Sequence, residues 1–79
     1  MWFRKTNNLQ DHTKLAGDAR SVLYREAGYA SKRADGLSKR RKSKAVNFLI
    51  DRGFLTMGFN TYMTTTAGET MAENLLFNH

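Results

Sequence analysis

Between Ser38 and Gly53 two opposed chemistries share one helical period. Projected at about 100° per residue, Ala45, Val46, Leu49 and Ile50 fall on one side, widened by Phe48. Arg40, Ser43, Lys44, Asn47 and Asp51 collect on the other. The spacing predicts a helix from near Ser38 to Arg52, because Gly53 supplies the residue type at which helices commonly stop. Such a helix must lay one flank on a core and show the other to solvent. The rest of a 79-residue chain then has to build the layer that faces it.

The flanking sequence supplies that layer. From about Asn8 to Ala27, the residues Leu15, Ala19, Val22, Leu23 and Ala27 recur at helical spacing, with Gly28 at the stop position. Gly17 offers a place for this helix to divide in two. Ser31 is a natural N-cap for a short helix to Asp35 or Gly36. After Gly53, Phe54 to Met57 and Tyr62 to Thr65 are aromatic, apolar and β-branched, and Gly58, Phe59, Asn60 and Thr61 separate them. That pattern predicts a tight β-hairpin. Thr66 and Glu69 have the spacing of a capping box, ahead of Met71, Ala72, Leu75 and Leu76 on one stripe of a last helix to about Phe77.

The expected fold is thus mostly α with a small β-hairpin. With no proline, no repeat and no biased tract, residues 1–79 read as a single domain, with residues 1–7 as an arm. In that arm Trp2 and Phe3 flank Arg4 and Lys5, either fraying or packing across a dimer or onto another protein. A chain of this length has room for one modest core. Its lack of cysteine excludes a disulfide framework and thiolate metal sites, so stability must come from packing, with or without oligomerisation. Apolar runs such as Phe48 to Ile50 are too short for a membrane span, and Met1 to Lys5 has no signal-peptide core. A cytoplasmic or nucleoid-associated protein is expected, with no membrane partner.

The charge is concentrated. Ser31 to Lys44 holds seven bases, Lys32, Arg33, Lys39, Arg40, Arg41, Lys42 and Lys44, against one acid, Asp35. That segment alone carries +6, the formal net charge of the whole protein. A field focused in this way recruits a polyanion through counterion release, which makes nucleic acid the first partner to expect.

The order of elements resembles a winged helix-turn-helix domain. Leu49-Ile50-Asp51-Arg52-Gly53-Phe54-Leu55 is similar to the leucine, polar residues, glycine and two apolars that end the recognition helix and open the wing in MarR-type and PadR-type regulators. Thr65-Thr66-Ala67-Gly68 is similar to the threonine-x-x-glycine that caps the following helix there. The likeness covers about Leu37 to Leu76. It implies that Ser38 to Arg41 start a recognition helix and that Arg40, Lys44 and Asn47 face a major groove. Lys42 stands where the family usually has an apolar residue, and Thr64 where it usually has leucine. The tip from Gly58 to Thr61 carries no base, which implies a wing that shapes the core more than it grips phosphate.

On this reading Lys32, Arg33, Lys39, Arg41 and Lys42 contact phosphates, which position a protein without specifying sequence. Arg40 has the chemistry to read guanine and Asn47 adenine. The plainer alternative for each is a solvated helix face. Tyr24, Tyr29, Phe54 and Tyr62 read as core more readily than as base-stacking platforms, whereas Phe59 falls at a turn tip. Catalysis has little support: His12 and His79 are the only histidines, the acids are scattered and there is no phosphate-binding glycine loop, so no enzyme, cofactor or metal is expected. The leading expectation is a small duplex-DNA-binding transcriptional regulator acting as a homodimer. Two others stand beside it: a phage or mobile-element interaction module that occupies an acidic host protein, and an RNA-binding protein that uses the same cationic helix.

Overall fold

Thr13 sets where the first helix begins. In the computed structural model, which describes residues 9–77, its hydroxyl accepts from the Ala16 N–H at 3.2 Å and α1 runs Lys14–Glu26. The helix therefore starts later than its periodicity suggests. Leu9 and Gln10 ahead of it form a separate 3₁₀ turn, and Leu9 is buried in the core. Arg20 clamps that turn by donating to the carbonyls of Leu9 and Asp11. The arm with Trp2 and Phe3 lies outside the described residues. Gly17 does not divide α1, which runs through it unbroken. Gly28, at a φ of +102°, ends the chain's helical run, and the Tyr29 N–H bonds back to the Tyr24 carbonyl.

Two more serine caps set the next turns. Ser31 accepts from the Ala34 N–H to open α2 (Lys32–Asp35), and Ser38 accepts from the Arg41 N–H to open α3 (Lys39–Asp51), each at 3.2 Å. Gly53, at a φ of +81°, closes α3, and the Phe54 N–H returns to the Leu49 carbonyl. The chain then forms an antiparallel pair, β1 (Leu55–Met57) and β2 (Tyr62–Thr64), in the register Leu55 to Thr64, Thr56 to Met63 and Met57 to Tyr62. Each strand is one residue shorter than its β-rich stretch, since Phe54 and Thr65 serve as connections to the flanking helices.

The last helix, α4, spans Thr66–Phe77. Its cap is Thr65, one residue before the threonine of the Thr66–Glu69 box. The Thr65 hydroxyl accepts from the Gly68 N–H at 3.0 Å and donates to the Gly53 carbonyl at 2.6 Å, so one side chain joins the end of α3 to the start of α4. Thr66 is already helical, and Glu69 accepts instead from the Thr64 hydroxyl at 3.3 Å.

Among the described residues, four helices and one two-stranded hairpin thus enclose a core. Ala19, Val22 and Leu23 from α1 meet Ala34 from α2, Ala45, Val46 and Leu49 from α3, Phe54 and Leu55 at the hairpin, and Ala72 from α4. The inward face of α3 is the one its periodicity indicates. Leu15 is the exception on α1: it remains 38% exposed, because the inward line of that helix runs through Ala16, Ala19, Val22 and Leu23. Met71 and Leu75 pack on the core only in part. Among the described residues no helix is long and apolar enough to cross a membrane.

Candidate nucleic-acid interface

The basic stretch divides into two populations. Lys32, Lys39, Arg40, Lys42 and Lys44 are exposed, as is Asn47 on the same helix as the last four. Ala45, Val46 and Leu49 anchor α3 from behind, so its outward face is presented by a helix fixed to the core. Phe48 is half-buried, with the Arg52 guanidinium stacked 3.6 Å from its ring centroid. Arg52 also donates to the Phe48 carbonyl at 3.2 Å, satisfying a helix-end acceptor.

Arg33 and Arg41 turn the other way, onto Asp18. Asp18 sits in the second turn of α1 and is only 3% exposed. Arg41 grips it with a fork, Nε to Oδ2 at 3.0 Å and Nη2 to Oδ1 at 2.8 Å. Arg33 adds Nε and Nη2 to Oδ1 at 3.2 and 3.0 Å. Both guanidinium side chains keep part of their surface in solvent, 48% for Arg33 and 42% for Arg41. Burial by itself would raise the Asp18 carboxyl, but the hydrogen bonds and positive charges of Arg41 and Arg33 outweigh it and hold its pKa below the ordinary carboxylate value. The three residues fasten α2 and α3 to α1 through one ionised carboxylate. An exposed pair, Arg25 with Asp35 at 3.1 Å, adds a second link between α1 and α2.

Asp18 escaped the sequence reading, as did the role of Gly17. The residues that meet at Asp18 are 15 and 23 positions away from it, on separate helices. One signal was present: a glycine inside an otherwise helical run. The Arg33 guanidinium lies over Gly17 so closely that a Cβ there would come within 2.7 Å of Nη2. Gly17 is therefore the gap that lets Arg33 reach Asp18.

Beside α3 the hairpin forms the second wall of a groove of about 310 Å³. Lys39, Lys42, Ser43, Val46, Asn47 and Ile50 line it on the helix side, and Met57 and Tyr62 on the hairpin side. The Lys42 ammonium stands 6.0 Å from the centroid of the Tyr62 ring. A lysine at this position, where the resemblance leads one to expect an apolar residue, has its charge at the groove rim and leaves packing to Val46. The groove floor is apolar and its rim is cationic.

His12 is exposed, His79 lies outside the described residues, and among the described residues no three His, Cys, Asp or Glu side chains are grouped to hold a metal ion. No family model matches this chain, and no characterised protein or solved structure matches it at a significant level.

Proposed function

We propose that this chain is a small winged-helix protein that binds duplex DNA through α3 and acts as a transcriptional regulator or similar DNA-site factor. The observation that carries the reading is the outward face of α3: Lys39, Arg40, Lys44 and Asn47 are exposed on a helix anchored from behind by Ala45, Val46 and Leu49. A cationic, amide-bearing helix of this width suits the major groove. The short α2 before it and the hairpin after it fit the helix-turn-helix and wing of that fold.

Lys32, Lys39, Lys42 and Lys44 serve as phosphate contacts, and Arg40 and Asn47 as the base-reading pair. Arg33 and Arg41 take part chiefly by holding α2 and α3 in place, since Asp18 already takes the Nε and Nη2 edge of each. Those four phosphate contacts set the slope of log affinity against log salt at about −3.6, so doubling the salt weakens binding about twelvefold. The test is affinity for duplex DNA across a salt series, with single-stranded RNA in parallel. A slope near zero sinks the reading, and a preference for single strands redirects it to RNA.

A second reading has one specific observation behind it. Met57, Phe59 and Met63 are 64%, 97% and 54% exposed on the hairpin, more apolar surface than a phosphate-gripping wing needs. A protein-interaction module that docks on a host factor would use such a surface, and salt-resistant capture of one protein by the purified chain would favour it.

A further inference from the structure

Resting on the duplex-binding reading, we propose that the hairpin tip is a wedge that enters the base stack of DNA, with Phe59 as the inserted side chain. Phe59 is 97% exposed in the turn between β1 and β2. The turn itself calls for no aromatic there. It is closed by the Gly58 N–H donating to the Thr61 carbonyl, and a small polar residue at position 59 would satisfy the same backbone. A whole phenyl ring held in water at a hairpin tip is apolar surface kept for a partner.

The surroundings select the partner. From Leu55 to Thr64 the hairpin has no charged residue. Its Met57 and Tyr62 nevertheless wall the same groove as Lys39, Lys42 and Asn47 of α3. The result is an apolar, uncharged projection beside a cationic strip. Duplex DNA has the complementary profile, with stacked apolar base faces between two rows of phosphates. Grooves alternate around a duplex, so with α3 in a major groove a neighbouring hairpin meets the adjacent minor groove. That is the side from which apolar side chains part a base step and bend the helix. Pyrimidine–purine steps open most easily and are the expected point of insertion.

The experiment uses the full chain and a short duplex with a central TA step, dyes at its two ends and 2-aminopurine beside the step. Wild-type protein is expected to bind with strong salt dependence, bring the ends closer by a bend within about 20 to 90°, and brighten the 2-aminopurine as its stack opens. Phe59→Ala should keep its melting temperature, because the ring packs on little of the protein. It should bind about tenfold more weakly, and lose both the bend and the fluorescence change. Phe59→Trp should retain all three. Salt-dependent binding by wild type without bend or fluorescence change overturns the wedge and leaves duplex binding intact. So does a Phe59→Ala protein that bends DNA like wild type, or one whose only change is lost self-association. Absence of duplex binding by wild type overturns the DNA-binding reading and the wedge together.

Discussion

Gly17 and Gly68 occupy similar positions in the two halves of the molecule, and their surroundings show that the halves are held by different means. Each is a buried helical glycine pressed against a neighbouring element. Over Gly17 lies the end of a flexible side chain, the Arg33 guanidinium. Over Gly68 lies backbone: a Cβ there would sit 2.0 Å from the Phe54 carbonyl oxygen. Beyond the apolar core they share, α1, α2 and α3 are tied by charged side chains that converge on Asp18 and can rearrange. Around Phe54 the contact is main chain, with the Thr65 N–H donating to the Phe54 carbonyl and the Thr65 hydroxyl bridging Gly53 to Gly68, and it cannot give way without moving whole elements.

The largest test of that contrast is Gly68→Ala. With no flexible atom to yield, α4 must shift off the hairpin, and a loss of about 3 kcal/mol or more is expected in thermal or urea unfolding. Accommodation at wild-type stability would show that the back half is as adjustable as the front.

Asp18→Asn comes next, at about 2 kcal/mol near neutral pH. The figure reflects a charged hydrogen-bond hub, discounted because both arginines can turn to solvent. Since the folded carboxyl titrates below its ordinary value of 3.8, its contribution is complete above that pH and disappears as pH falls through the folded value. Wild type and variant should therefore converge in acid. Parallel stability curves across that range would mean Asp18 contributes nothing as an ion.

Leu75→Ala should cost less, about 1 to 2 kcal/mol, because Leu75 is only partly buried against the core. A loss equal to that of a fully buried leucine would place the last turn of α4 deeper than its exposure indicates. Smallest is Gly17→Ala. A helix gain of about 1 kcal/mol on replacing glycine is set against a displaced Arg33, for a net change within about 0.5 kcal/mol. The signature is spectroscopic: the Arg33 Nε–H resonance should move toward a solvent-exposed position while net charge and melting temperature hold. A large destabilisation would show that Arg33 is as fixed as the Phe54 backbone.

How much of this was legible follows from the distance over which each signal acts. The helix caps at Ser31 and Ser38, the glycine stops at Gly28 and Gly53 and the hairpin are local, and their residue types declare them. The inward face of α3 follows from its period. Leu15 shares the apolar period of α1 yet stays exposed, because a period fixes which residues share a stripe, not how far the stripe extends before the neighbouring helix falls away. Two local patterns overlapped at the start of α4, and the structure takes the Thr65-x-x-Gly68 cap over the Thr66–Glu69 box, while the link from Thr65 to the Gly53 carbonyl twelve residues away belongs to neither pattern. Composition and order displayed the exposed cations of the candidate site. The period sets Arg40 on the outward face and leaves Arg41 off it, but it does not show what Arg41 binds, because only the packed α1 brings Asp18 beneath it.

That separation bears on how such a protein can change over generations. Two adjacent arginines of one helix answer to different demands: Arg41 is bound into the scaffold, while Arg40, with Lys44 and Asn47, is exposed. Substitutions on an exposed helix face are nearly neutral for folding, at about 0.5 kcal/mol or less. The outward face of α3 can therefore be rewritten step by step, each intermediate remaining a folded protein. A copied gene of this kind could acquire a new ligand preference without passing through an unstable ancestor.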